Sequence, residues 1–115
     1  DDQLNQTGIG AEAAALAHLK RAGLKLVARN YRCRSGEIDL VMLDGATLAL
    51  IEVRYRATSN YGGAAASVTQ RKQRRIVQAA RHLLLTRADL RRYPARFDVV
   101  AMSGRSIEWL KGAFM

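Results

Sequence analysis

The sequence predicts an α/β domain built on a mixed sheet, and three observations carry that prediction. The apolar pattern runs in the order helix, three strands, helix, two strands. Nearly half of the 115 residues are hydrophobic, enough for one buried core without a covalent staple. A hairpin with a strong turn signal, Asp44-Gly45, lies between runs rich in Ile, Leu, Val and Thr. The whole chain, residues 1–115, reads as one domain whose sheet has about four to five strands flanked by helices.

The first helix is expected over Thr7 to Ala22, with Ile9, Leu16 and Leu19 on its apolar side and Gly23 closing it. Glu12 falls in the opening turn, where a helix-dipole charge is its plain reading. Gly8 and Gly10 lack the third glycine and preceding strand of a dinucleotide loop. His18 has no partner at metal-ligand spacing and reads as packing or surface. Lys25 to Arg32 alternates as a strand, and Arg29, Arg32 and Arg34 bring positive charge towards the hairpin.

The hairpin, Gly36 to Arg56, concentrates the chemistry. Strand alternation puts Glu37 and Asp39 on one face and Ile38, Leu40 and Met42 on the other; in the second strand Glu52 and Arg54 share a face. A two-residue Asp44-Gly45 loop sets Glu37 opposite Glu52, whereas a loop spanning Asp44 to Thr47 sets Asp39 opposite Glu52. Either way three carboxylates gather on one face, and acids so placed repel unless a cation compensates them. A metal site is the chemical reading, and a solvated charged strand is the bland one.

After the hairpin, ATSNYGGAAA reads as a mobile loop in which Tyr61 is an ordinary loop tyrosine or a base-stacking one. Ser67 and Gln70 have capping-box spacing before the second helix, whose apolar side is Val68, Ile76, Ala80, Leu83 and Leu84. Arg71, Arg74, Arg75, Gln78 and Arg81 form its polar stripe, and from Ser67 to Arg92 there are eight basic residues and a single acid, Asp89. Lys72 lies between Val68 and Ile76, so its stem packs inward and its ammonium emerges near the sheet. Strands follow at Arg96 to Met102 and Ser106 to Lys111. Asp98 reads as a structural hydrogen-bonding acid, with Trp109 and Phe114 capping the core.

Charge narrows the partners. Nineteen Lys and Arg stand against ten Asp and Glu, a net of +9, which suggests a polyanion, nucleic acid before an acidic membrane. Arg71, Arg74, Arg75 and Arg81 are the expected phosphate contacts. No membrane partner is expected, because no amphipathic helix carries Trp or Phe with a basic polar face. With no apolar run near the roughly 20 residues of a spanning helix and no signal peptide opening the chain, a soluble protein is expected. The lone Cys33 excludes a disulfide framework and fits a reducing cytoplasm.

Asp39, then Glu52-Val53-Arg54 after a hairpin, resembles the PD-(D/E)XK motif of restriction-endonuclease-like nucleases. More closely, the chain resembles the YraN-like family of uncharacterised bacterial proteins. The match runs through Gly8, Glu12, Ala15, Leu19, Gly23, Arg29-Asn30, Arg32, Gly36-Glu37-Ile38-Asp39-Leu40, Glu52-Val53, Lys72, Arg96-Phe97-Asp98-Val99 and Ala113-Phe114. That resemblance implies a restriction-endonuclease-like core and a metal-dependent nuclease acting on DNA rather than RNA, including branched or flapped DNA. It implies Mg²⁺ or Mn²⁺ on Asp39, Glu52 and the Val53 carbonyl, with Glu12 contributing directly or through water. It also leaves a homodimer open, since junction-resolving relatives are typically dimers. The motif's usual lysine is here Arg54, which cannot accept a proton, and Lys72 from the helix is the expected substitute. The alternatives are a non-catalytic nucleic-acid-binding module with a degenerate nuclease site, and an adaptor whose acids merely neutralise nearby arginines.

Overall fold

The computed structural model describes residues 8–55, 68–104 and 106–114, the side chains of Gly8 and Ile9 excepted. Two helices and five strands follow in the expected order: α1 Gly8–Arg21, β1 Lys25–Cys33, β2 Gly36–Asp44, β3 Thr47–Tyr55, α2 Gln70–Thr86, β4 Ala95–Ser103 and β5 Ser106–Phe114. The sheet order is β1-β2-β3-β4-β5. All neighbouring pairs are antiparallel except β3 with β4, which are parallel and joined through α2. This mixed sheet with helices is consistent with a restriction-endonuclease-like core. The expected mobile loop and Tyr61 lie outside the described residues.

Each sheet face buries its own core. Leu40, Met42, Ala49, Ile51, Val100 and Met102 pack with Ala11, Ala15, Leu16 and Leu19 of α1. Ile38, Val41, Leu48, Leu50, Phe97, Val99 and Phe114 pack with Ile76, Ala79, Ala80 and Leu83 of α2. Covered on both sides, β3 is a near-continuous apolar run, as central strands are. Gly23 ends α1 at φ 102: its N–H donates to the Lys20 carbonyl while Leu24 N–H donates to Leu19, and both leucines are buried. The first turn of α1 contains no acid, so Glu12 lies beyond it and the helix-dipole reading of Glu12 is corrected.

The hairpin closes on Gly45-Ala46 rather than Asp44-Gly45, because Asp44 still pairs with Thr47 and Gly45 supplies φ 61. The register is therefore the one expected of the longer loop, pairing Leu40 with Ile51. The expected shared face of Ile38, Leu40 and Met42 is also corrected. Ile38 joins the α2-side core while Leu40 and Met42 join the α1-side core, so alternation breaks at Asp39. The β2–β3 ladder stops at that same step, and opposite it in β1 Asn30 has φ 51, a left-handed conformation that asparagine tolerates.

The cap of α2 is Thr69, whose hydroxyl accepts from Lys72 N–H at 3.2 Å; Ser67 lies outside the described residues. The basic segment after the helix has structural work. Arg91 donates to the Leu84 and Leu85 carbonyls, Arg87 pairs with Asp89 at 2.9 Å, and the Arg92 guanidinium lies over Tyr93. Tyr31 Oη and His82 Nδ1 share a hydrogen bond, tying β1 to the helix.

Gly36 determines how close α2 comes to the sheet, since a Cβ there would collide with the Arg75 carbonyl. Gly36→Ala should force the helix outward and destabilise the fold by about 1–3 kcal/mol, measured by urea unfolding. An unchanged midpoint would show that the helix is free to shift.

Candidate functional site

The break in β2 at Asp39 opens a small cluster of acids at the end of the β2–β3 ladder. With no strand partner at this step, the Val53 N–H donates to Asp39 Oδ2 at 2.8 Å, so the carboxylate replaces a ladder bond and brings the Val53 peptide to the acids. Glu52, one residue earlier, is 2% exposed. Its Oε2 is 2.8 Å from Lys72 Nζ and 3.8 Å from Arg54 Nη1. Its Oε1 is buried with no hydrogen-bond partner among the described residues.

These surroundings push the Glu52 carboxyl up to about 8. Burial is the main cause and the charge of Asp39 the next, while the bond from Lys72 pulls the other way. Glu12 reaches the same cluster from α1. Its carboxyl is raised by burial and by Asp39, against a lowering hydrogen bond from Asn30 and the nearby charge of Arg29. The structure thus brings Glu12, Asp39, Glu52, Val53, Arg54 and Lys72 into one neighbourhood, with Lys72 arriving from the helix as its place on the apolar stripe predicts.

Among the described residues no three His, Cys, Asp or Glu side chains converge as a ready-made metal cage. The donors present still suit a hard divalent cation. Mg²⁺ is ordinarily held by one or two carboxylates and keeps several waters, and here an unpartnered buried carboxylate oxygen lies beside a second acid. A cation would offset both causes of the Glu52 shift.

The arginine stripe divides. Arg71 and Arg75 line a depression of about 230 Å³ with Glu37, Thr69, Lys72 and Ile76. Arg74 and Arg81 line a separate groove with Gln70, Gln73, Val77 and Gln78. All four are exposed and none has an ion-pair partner among the described residues.

Sequence reasoning missed Asn30, since a strand pattern carries no mark of a left-handed residue bonded to a helix acid, and it left Glu37 without a role. Glu37 pairs with Arg32 at 3.2 Å and faces the depression. Asp98 has the structural role expected: fully buried, it accepts from Arg96 Nε and Nη2, Trp109 Nε1 and Gly112 N–H. Cys33 is a half-buried free thiol.

A model of uncharacterised protein family UPF0102 matches residues 11–102, which include every acid of the cluster and Lys72. The chain belongs to that family. It is 49% identical over 110 residues to the UPF0102 protein of Saccharophagus degradans, covering 96% of this chain and 93% of the relative. UPF0102 proteins of Cupriavidus taiwanensis and Cupriavidus pinatubonensis are 59% and 60% identical over 109 residues, covering 93% of this chain and 81% and 84% of theirs. No helix among the described residues of this UPF0102 chain is long and apolar enough to cross a membrane.

The raised Glu52 value sets a pH test. An acid that titrates near 4.5 when unfolded and near 8 when folded leaves stability intact below 4.5. Stability is then withdrawn as pH rises towards 8, by at most about 1.4 kcal/mol per pH unit. In metal-free protein, the Tm of wild type minus that of Glu52→Gln should fall between pH 5 and pH 9. A difference independent of pH would mean that Glu52 is ionised throughout.

Proposed function

We propose that this UPF0102 chain is a metal-dependent nuclease domain that hydrolyses phosphodiester bonds in DNA, branched or flapped DNA among its substrates. The observation that carries this reading is the buried Glu52 carboxylate, with one oxygen on Lys72 and the other unpartnered beside Asp39. A buried acid in that condition is costly to the fold and is suited to a cation. Asp39 and Glu52 would hold Mg²⁺ or Mn²⁺ with the Val53 carbonyl, Glu12 assisting from α1. When bound, the ion would polarise the phosphate and lower the pKa of the attacking water.

The remaining roles belong to the chain's own side chains. The Asp39 bond to Val53 N–H fixes the Glu52–Val53 peptide against the other acid. Lys72 presents a compact ammonium 2.8 Å from Glu52, where it can orient the attacking water and balance the charge of a pentacovalent phosphate. Arg54 stands farther off, at 3.8 Å, and its fork suits a phosphate oxygen better than proton transfer. The uncompensated arginines of α2 supply the polyanion-binding charge.

Arg54 in the place of the motif lysine favours a second reading, a nucleic-acid-binding module without turnover. One experiment separates the two: single-stranded, duplex, flap and four-way-junction DNA incubated with Mg²⁺ or Mn²⁺. Cleavage is expected from wild type and should vanish in Asp39→Ala and Glu52→Gln. Lys72→Ala should lower the rate on the order of a hundredfold or more. Salt-sensitive binding with no cleavage on any substrate selects the module. Unchanged cleavage by Lys72→Ala, while Glu52→Gln is dead, removes Lys72 from the mechanism.

A further inference from the structure

The two flanks of α2 differ in what they face, and that difference locates the substrate. Arg71 and Arg75 are one helical turn apart and share the depression beside Lys72, whereas Arg74 and Arg81 line the other groove. Within the depression the other charges are already matched. Glu37 is engaged by Arg32 at 3.2 Å and Lys72 by Glu52 at 2.8 Å, leaving Arg71 and Arg75 without ion-pair partners among the described residues. No acid occupies the first turn of α2 to compete with an incoming anion.

We propose that this depression is a phosphate subsite, in which Arg71 and Arg75 grip one phosphate of the strand whose neighbouring bond lies at Asp39 and Glu52. The assignment rests on the nuclease reading above. Size favours a phosphate over a nucleoside, since about 230 Å³ falls below the roughly 300–1,000 Å³ of sites that enclose a drug-sized ligand. Chemistry favours it as well, because the planar arginine fork matches two phosphate oxygens at once. The close approach of Gly36 to the Arg75 carbonyl fixes the distance between the arginine-bearing turn and the start of β2. Lys72, which lines the depression and also touches Glu52, ties the subsite to the acids. The phosphate has two sources, an internal phosphodiester or a 5′-terminal phosphate, and the same fork serves both.

The test measures binding alone. The full chain in EDTA is titrated against short single-stranded oligonucleotides with a 5′-phosphate or a 5′-hydroxyl, followed by fluorescence anisotropy. The variants are Arg71→Ala with Arg75→Ala, and Arg74→Ala with Arg81→Ala. All four side chains are exposed and alanine favours helix, so circular dichroism should show both double variants folded. Losing the Arg71 and Arg75 forks should weaken binding about ten- to a hundredfold, more than losing Arg74 and Arg81. A loss confined to the 5′-phosphorylated strand assigns the terminal phosphate; an equal loss on both strands assigns an internal one. The subsite is overturned if the Arg71 and Arg75 variant binds both strands as wild type does, or if the Arg74 and Arg81 variant loses as much or more. With no divalent ion present, such a failure leaves the cleavage test standing. Arginine-dependent binding without cleavage would instead retain the subsite and remove the nuclease.

Discussion

The structure depends most on one buried acid, Glu52, and on the strand break that makes room for it. In an unbroken hairpin, Asp39 and Glu52 would face each other across a closed ladder. The ladder ends at Leu40 and Ile51, the Val53 N–H turns to Asp39, and Glu52 is left between a second acid and a lysine. Everything nearby serves that geometry. Gly36 lets α2 approach to backbone contact, which brings Lys72 to Glu52. Asn30, left-handed in β1 opposite the break, bonds Glu12 of α1.

Two buried acids in one sheet receive opposite treatment, and the contrast separates structure from function. Asp98 accepts four hydrogen bonds, from Arg96 twice, Trp109 and Gly112, so its burial is offset in full. Around it Arg96 also bonds Asp44, Lys111 approaches Asp44 at 3.6 Å, and the Lys111 ammonium lies over Trp109. That network is closed and pins β4 to β5 and to the hairpin tip. Among the described residues Glu52 has one oxygen satisfied and one not, with a second acid at hand. Folding alone gives no reason to retain it in that state.

The sequence showed much of this through patterns that survive tertiary packing. Element order, the glycine stop after α1, the inward stem of Lys72 and the structural use of Asp98 were all legible, because each follows from local spacing. What was not legible arises where backbone regularity fails. Ile38 changes face because the pleat breaks at Asp39, and nothing in the GEIDL run marks the break. The hairpin closed one residue later than its Asp-Gly signal suggests because Gly45, and not Asp44, takes the positive φ. The arginines read as one stripe because an unfolded helical net does not show which flank faces β2. Part of the charge after Arg81 proved structural, with Arg91 bonding the last helix carbonyls and Arg87 bonding Asp89.

Arg54 and Lys72 both approach Glu52, and the space each cation needs explains which comes closer. Arg54 places its Nη1 3.8 Å from Glu52 Oε2, and its buried Nε has no acceptor among the described residues, so the guanidinium is not seated as a bidentate fork on that acid. Lys72 takes the same oxygen at 2.8 Å with a compact ammonium on a stem that runs along the apolar side of α2. A guanidinium in that position would have to desolvate a broad plane beneath the helix, whereas the ammonium needs one narrow approach. The short contact therefore belongs to the helix lysine, and Arg54 remains one-third exposed. The tighter of the two cations on Glu52 thus comes from α2, the element that also bears the Arg71 and Arg75 pair. Lys72 and the Arg71 and Arg75 pair are therefore carried on one helix, positioned against the sheet by Gly36.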